Sequence, residues 1–85
     1  MSAENHEQLL NDINQRFGSV LRQIRREKSI TQQDLADKSG MSLRMITALE
    51  AGDRKPSLTT LVKIAKGLDI GFRELIERLL KEMGV

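Results

Sequence analysis

An all-α fold, a compact bundle of five helices, is predicted by three observations. Apolar residues recur at helical spacing along almost the whole of the 85-residue chain. No segment alternates apolar and polar residues over a strand's length, so no sheet is expected. The breaks between apolar stripes are short, about 2 to 6 residues, and each is marked by Gly, Ser, Thr or Pro. At this length one domain with one small core is expected. There is no internal repeat and no low-complexity tract.

The first helix carries the stripe Ile13, Phe17, Val20, Leu21 and Ile24, and ends near Lys28, before Ser29 and Ile30. Residues 1–10 read as a flexible acidic tail ahead of a single domain over residues 11–85. Within that tail, Leu9 and Leu10 either extend helix 1 backward or dock elsewhere. Thr31 is a good N-cap for helix 2, with Asp34 three residues on, and this helix ends at Gly40. Ser42 caps helix 3, which stops at Gly52. Pro56 and Ser57 open helix 4, with Leu58, Leu61, Val62, Ile64, Ala65 and Leu68. Helix 5 runs from about Gly71 to Met83 with Phe72, Leu75, Ile76, Leu79, Leu80 and Met83.

Thr31 to Glu50, TQQDLADKSGMSLRMITALE, is the most informative stretch. Two short helices meet at Gly40, where so close a bend needs a residue tolerant of positive φ; Met41 reads as a core plug in the turn. This is the sequence form of a helix-turn-helix, and it makes double-stranded DNA the leading partner. At about 100° per residue, Ile46 and Leu49 of helix 3 point inward together. Arg44, Thr47, Ala48 and Ala51 lie opposite, with Leu43 on the flank. That outer face is small-sided and bears no acid before Glu50, which suits a major groove. Ser42, Leu43 and Arg44 sit at its N-terminal end as longer readers. Arg44 can donate twice to guanine O6 and N7. Leu43 and Ala48 can pack on thymine methyls, and Thr47 can meet a base edge or a phosphate. The competing reading is a small-residue helix packed inside a bundle.

Net charge is only +2, so its distribution matters more than its size. Residues 1–15 hold Glu4, Glu7 and Asp12 with no Lys or Arg. Arg16, Arg22, Arg25, Arg26 and Lys28 then stand against Glu27, and Arg54, Lys55, Lys63 and Lys66 against Asp53. Two basic segments flanking the helix pair suit a phosphate-facing surface; the alternative is two solvated helix faces. Glu50 lies in the last turn of helix 3, at the negative end of the helix dipole, and needs a compensating cation. Arg22 and Arg26 fall opposite the apolar stripe of helix 1, whereas Arg25 falls at its border. An Arg25–Glu50 ion pair tying helix 1 to helix 3 is therefore expected.

The residues from Arg25 through Thr31-Gln32, Leu35-Ala36, Gly40, Ile46 and Glu50 to Gly52, with Pro56-Ser57-Leu58 and the Leu61 to Leu68 helix, resemble the phage-repressor type (Cro/repressor, XRE) of bacterial helix-turn-helix regulators. The resemblance covers about residues 14–76 and rests on many spaced positions at once. It implies a lambda-repressor-like five-helix domain that binds a palindromic operator as a dimer, with helix 3 in the major groove. It implies phosphate contacts from Thr31 and Gln32 at the start of helix 2 and from Arg54 and Lys55. It places base reading at Ser42, Leu43, Arg44, Thr47 and Ala48, and matches Arg25 and Glu50 to a buried pair. Gly67 stands where an Ala is frequent and Asp69 where a Gly is. Helix 4 is thus expected to end a residue or two early, with Asp69 in the strained turn position. Gly71 replaces the usual Ser or Asp cap of helix 5. Leu43 and Ala48 replace polar readers, which bears on sequence preference.

Beyond Ile76 the stripe of helix 5 exceeds what so small a core needs. Leu79, Leu80 and Met83 are candidates for a homodimer interface; the alternative is a helix 5 folded fully onto helix 1, over Leu9 and Leu10. Without Cys there is no disulfide framework and no Cys-based zinc site. His6 has no second His to join, so neither metal nor cofactor is expected. Glu74 and Glu77 with Arg73, Arg78 and Lys81 read as helix-surface ion pairs, and no catalytic set is present. Phe17 and Phe72, the only aromatics, lie on apolar stripes and give no platform for stacking bases. No apolar run approaches a membrane span and the N-terminus lacks the pattern of a signal peptide, so a soluble cytoplasmic protein is expected. Two functions remain open: a sequence-specific transcriptional regulator, or an antitoxin, restriction-modification controller or adaptor whose main partner is another protein.

Overall fold

The computed structural model describes residues 3–85, with side chains from His6 onward. Its five helices are α1 (Ala3–Glu27), α2 (Gln32–Ser39), α3 (Leu43–Ala51), α4 (Leu58–Gly67) and α5 (Phe72–Met83). Helix α1 packs on α3 and α5, α2 on α3 and α4, and α4 on α5.

One core holds the bundle together. Phe17, Val20, Leu21 and Ile24 of α1 meet Leu35 and Ala36 of α2, Ile46 and Leu49 of α3, Ile64 and Ala65 of α4, Leu68, and Leu75 of α5. Each is at most 2% exposed, and burying each of the larger ones stabilises the fold by roughly 1.5–3 kcal/mol. The helical spacing of these residues is what makes the segments helices, because tertiary burial supplies most of the stability of pieces this short.

All five helices stop in the same way. A left-handed residue follows the last turn, and the next residue's N–H reaches back five positions to a free carbonyl. Gly40, Gly52 and Gly84 take that position with φ of 70°, 80° and 80°. Ser29 and Asp69 take it with φ of 56° each. The return bonds are Ile30 N to Arg25 O (3.1 Å), Met41 N to Ala36 O (3.0 Å) and Ile70 N to Ala65 O (3.0 Å). Ile30, Met41 and Ile70 all pack against the core. Burial of the following apolar residue thus offsets the strain at Ser29 and Asp69. Helix α4 ends at Gly67 with Leu68 as its C-cap, and Gly71 caps α5 without a side-chain bond.

Residues 3–10, part of the expected N-terminal tail, form the opening turns of α1; residues 1 and 2 lie outside the described residues. Leu9 and Leu10 extend helix 1 backward, in line with Ile13 and Phe17 at helical spacing. A 25-residue helix is about 37 Å long, and it sets the longest dimension of the molecule, 40 × 25 × 21 Å. Its N-terminal turns are exposed, Leu9 to 48% and Leu10 to 41%. Four residues of the predicted apolar stripes also face outward: Leu58 and Val62 on α4, and Phe72 and Leu80 on α5. An eight-to-twelve-residue helix in a small bundle has one inward face, and these side chains fall outside it. Among the described residues no helix is long and apolar enough to cross a membrane.

Candidate nucleic-acid interface

Helix α2 begins with a reciprocal cap. The Thr31 hydroxyl accepts from Asp34 N at 3.0 Å, and Thr31 N donates to the Asp34 carboxylate at 2.9 Å. The bond from the Thr31 main chain and that from its side chain hold the Asp34 carboxyl below its usual range. Of the N–H groups without an intrahelical partner at a helix start, the box accounts for Asp34. Those of Gln32 and Gln33 lie at the positive end of the dipole, where an anion is favoured.

Ser42 starts α3 by accepting from Met45 N at 3.1 Å, so its oxygen serves the cap. Leu43, Arg44, Thr47 and Ala51 are exposed and Ala48 is half-buried, while Ile46 and Leu49 are in the core. The five positions named from the sequence therefore share the outer side of α3. Arg54 and Lys55 are exposed in the loop that follows, ahead of α4.

What fixes α3 is Glu50, whose side chain is 1% exposed. Arg25 Nε donates to Glu50 Oε2 at 2.7 Å and Arg25 Nη2 to Oε1 at 3.1 Å. Arg25 Nη1 also donates to Ile30 O at 3.0 Å, so one guanidinium ties α1, the turn before α2, and α3 together. Gln32 Nε2 donates to Glu50 Oε1 at 3.1 Å, and Thr47 Oγ1 donates to Gln32 Oε1 at 3.3 Å. Burial pushes the Glu50 carboxyl up, but the hydrogen bonds from Arg25 and Gln32 and the charges of Arg25 and Arg22 outweigh it and hold it below the usual carboxylate range. The bond to Glu50 raises Arg25 in turn, against the opposing effect of its burial.

Arg22 is a correction to the sequence reading, which placed it opposite the apolar stripe and away from Glu50. Its Nη2 donates to the Glu50 main-chain oxygen at 3.2 Å, and its Nε lies 3.6 Å from Oε1. It thus satisfies a carbonyl at the C-terminal end of α3 and lends charge to the same carboxylate. Gly18 explains how α1 comes so near. A Cβ there would stand 2.5 Å from Glu50 O and 2.6 Å from Leu49 O, so the two backbones are in contact. Gly18, Arg22 and Arg25 are spaced i, i+4, i+7 and form one strip of α1 that meets the C-terminal end of α3.

The helix-turn-helix family model matches residues 21–75 of this chain. The chain belongs to the helix-turn-helix family. The control protein C.MunI of Mycoplasma sp is 36% identical over 74 residues, covering 86% of this chain and 100% of that protein. The uncharacterized HTH-type transcriptional regulator y4dJ of Sinorhizobium fredii is 35% identical over 65 residues, 76% of this chain and 84% of the relative. Among solved structures, the restriction-modification controller protein C.Esp1396I, crystallised as a tetramer in complex with its natural 35 base-pair operator, superposes with a TM-score of 0.81. It is 33% identical, with 86% of this chain and 96% of that chain covered.

In this helix-turn-helix chain, part of the first basic segment is occupied internally. Arg16 bonds Asp12 at 2.9 Å and Glu82 O at 2.8 Å, and Arg22 and Arg25 serve Glu50. The cations of that segment outside these contacts are Arg26 and Lys28. On α5, Arg78 pairs with Glu27 of α1 and not with the acids of its own helix as expected; that contact holds the Glu27 carboxyl below its usual range. Leu79 packs against the core, Leu80 is 42% exposed and Met83 is half-buried. Of the three residues named for a dimer face, Leu80 presents the most surface. Leu79 also lines an apolar cleft of about 220 Å³ with Leu10, Ile13, Phe17, Leu61 and the loop residues Lys55 and Pro56. Among the described residues no group of three or more His, Cys, Asp or Glu gathers as a metal site would require.

Proposed function

We propose that this protein is a sequence-specific double-stranded DNA-binding transcriptional regulator that lays α3 in the major groove and acts in the cytoplasm as a binding protein, without catalysis. The observation that carries the reading is the outer face of α3. Leu43, Arg44, Thr47 and Ala51 are exposed side by side on a helix whose position is locked by Glu50, Arg25 and Arg22. Such a helix presents one bidentate donor, Arg44, among side chains small enough to enter a groove. Ser42, Leu43, Arg44, Thr47 and Ala48 form the base-facing set. The N–H groups at the start of α2, with Thr31 and Gln32, take one phosphate, and Arg54 and Lys55 take others. The protein binds as a homodimer on a palindromic site, and Leu80 with Leu79 and Met83 forms part of the pairing surface.

The likeness over the whole length of a control protein favours a controller of a restriction-modification system over an antitoxin or adaptor. A neighbouring restriction or methyltransferase gene would agree with that form, and a toxin gene would argue against it. The deciding experiment for DNA reading is selection from random duplex DNA. A recovered palindrome with a guanine contacted by Arg44 in each half is the expected result. Recovery of no enriched sequence, with retention of duplex only at low salt, would overturn the reading.

A further inference from the structure

We propose that Thr47 is a positioning residue: its hydroxyl acts through Gln32, holding that carboxamide toward a phosphate, and does not read a base edge. The inference rests on the DNA-binding reading above and reassigns one member of its base-facing set.

Thr47 and Glu50 stand three residues apart on α3, on neighbouring faces, and both grip one side chain of α2. Thr47 Oγ1 donates to Gln32 Oε1 at 3.3 Å, and Gln32 Nε2 donates to Glu50 Oε1 at 3.1 Å. The ionised carboxylate only accepts, so the amide nitrogen must face Glu50 and its oxygen must face Thr47. Turning the amide over would set two oxygens against each other. The carboxamide therefore has a single orientation. One Nε2 hydrogen remains, on the residue whose main-chain N–H has no intrahelical partner at the start of α2. A phosphate received there meets two donors of one residue.

The chemistry of Thr47 points the same way. A hydroxyl has one hydrogen, and Thr47 commits it to Gln32. What remains for a base is two lone pairs and a methyl group, which select poorly among base pairs. The exposed readers are then Leu43 and Arg44, with Ala48. Thr47 contributes affinity through the backbone contact, which carries no sequence information.

The test uses Thr47→Val, which keeps the shape and removes the donor, Thr47→Ser, which keeps the donor, and Gln32→Ala alone and with Thr47→Val. In the free protein, the side-chain amide resonances of Gln32 shift in Thr47→Val and stay near their wild-type positions in Thr47→Ser. In binding, Thr47→Val weakens every duplex by roughly threefold to tenfold, the size of one neutral hydrogen bond. Base preference and salt slope stay unchanged, and Thr47→Val adds no loss once Gln32 is Ala. The proposal is overturned if the Gln32 resonances do not move in Thr47→Val. It is equally overturned if Thr47→Val changes preference at one base pair and that change persists with Gln32→Ala. Wild-type protein that binds no duplex at all would instead remove the DNA reading itself, and the proposal with it.

Discussion

The guanidinium of Arg25 meets the carboxylate of Glu50 edge to edge, with Nε to Oε2 at 2.7 Å and Nη2 to Oε1 at 3.1 Å. The two residues lie 25 positions apart, so the contact sets α1 against α3 across the whole helix-turn-helix. Removing one member leaves the other charge in a site built for two, and such losses cost about 3–5 kcal/mol. Arg25→Ala should fall toward the lower end, since Arg22 and Gln32 still reach Glu50. Chemical denaturation of Arg25→Ala, Glu50→Gln and the double variant should give a coupling energy above 1 kcal/mol. Additive losses would mean that the pair is energetically idle.

The same carboxylate makes stability depend on pH. Its folded-state value is held below the ordinary one, so its contribution is fully present above the unfolded value of about 4.3. It is lost as pH falls through the lower folded value. Wild type should therefore be more stable than Glu50→Gln at pH 7, with the gap closing below about pH 4.3. A gap that is constant from pH 7 to pH 3 would count against this assignment.

Arg44 and Lys55 should fail in different ways. Arg44→Ala should relax preference at one position of the selected site, at a loss of about 1–3 kcal/mol on the best sequence. Lys55→Ala should weaken all sequences alike and lower the salt slope by about one. Fluorescence titrations against matched and mismatched duplexes at several salt concentrations distinguish the two. Unchanged preference in Arg44→Ala would remove Arg44 as the reader.

Gly18→Ala should be costly for an internal helical glycine. In an open helix this change gains about 1 kcal/mol from propensity. Here the added carbon meets two main-chain oxygens at 2.5 and 2.6 Å, so the helices must part. A net loss of about 1–3 kcal/mol is expected, with DNA affinity falling more than stability alone accounts for. Thermal unfolding at or above the wild-type midpoint would show that the contact gives way without cost.

Leu80→Lys places a charge on the exposed part of α5 while sparing the core, because Leu79 and Leu75 lie deeper. Sedimentation equilibrium should show dimer dissociation at least tenfold easier, about 1.4 kcal/mol, with unchanged helical circular dichroism. An unaltered association constant would move the dimer face elsewhere, with the exposed Leu58, Val62 and Phe72 next to be tested.

Much of this fold was legible because helix stops and starts are local chemistry. Thr31 with Asp34, Ser42, Ser57 and the glycines at 40 and 52 mark ends that depend on one or two side chains. The Arg25–Glu50 pairing was legible because both its ends could be argued, from the dipole at Glu50 and the border position of Arg25. Arg22 was misplaced because helical spacing on α1 was referred to one apolar stripe only. Beside that stripe, Gly18, Arg22 and Arg25 form a second strip of α1 that meets the C-terminal end of α3, and Gly18 inside a helix was the signal for it. The helical form of residues 3–10 was less legible because they are polar, and only Leu9, Ile13 and Phe17 continue one helical line. The Thr47–Gln32 bond was beyond the sequence, since it depends on the angle between α2 and α3.

At Gly18 there is no clearance between α1 and α3. A tilt or slide of α3 would press on α1, which spans the length of the molecule. If α3 reads DNA as proposed, a site with the wrong twist or groove width would meet a stiff template. The adjustment would then fall on the duplex, at a price set by how easily that stretch of DNA bends. Discrimination at base pairs that no side chain touches should then follow the stiffness of the DNA.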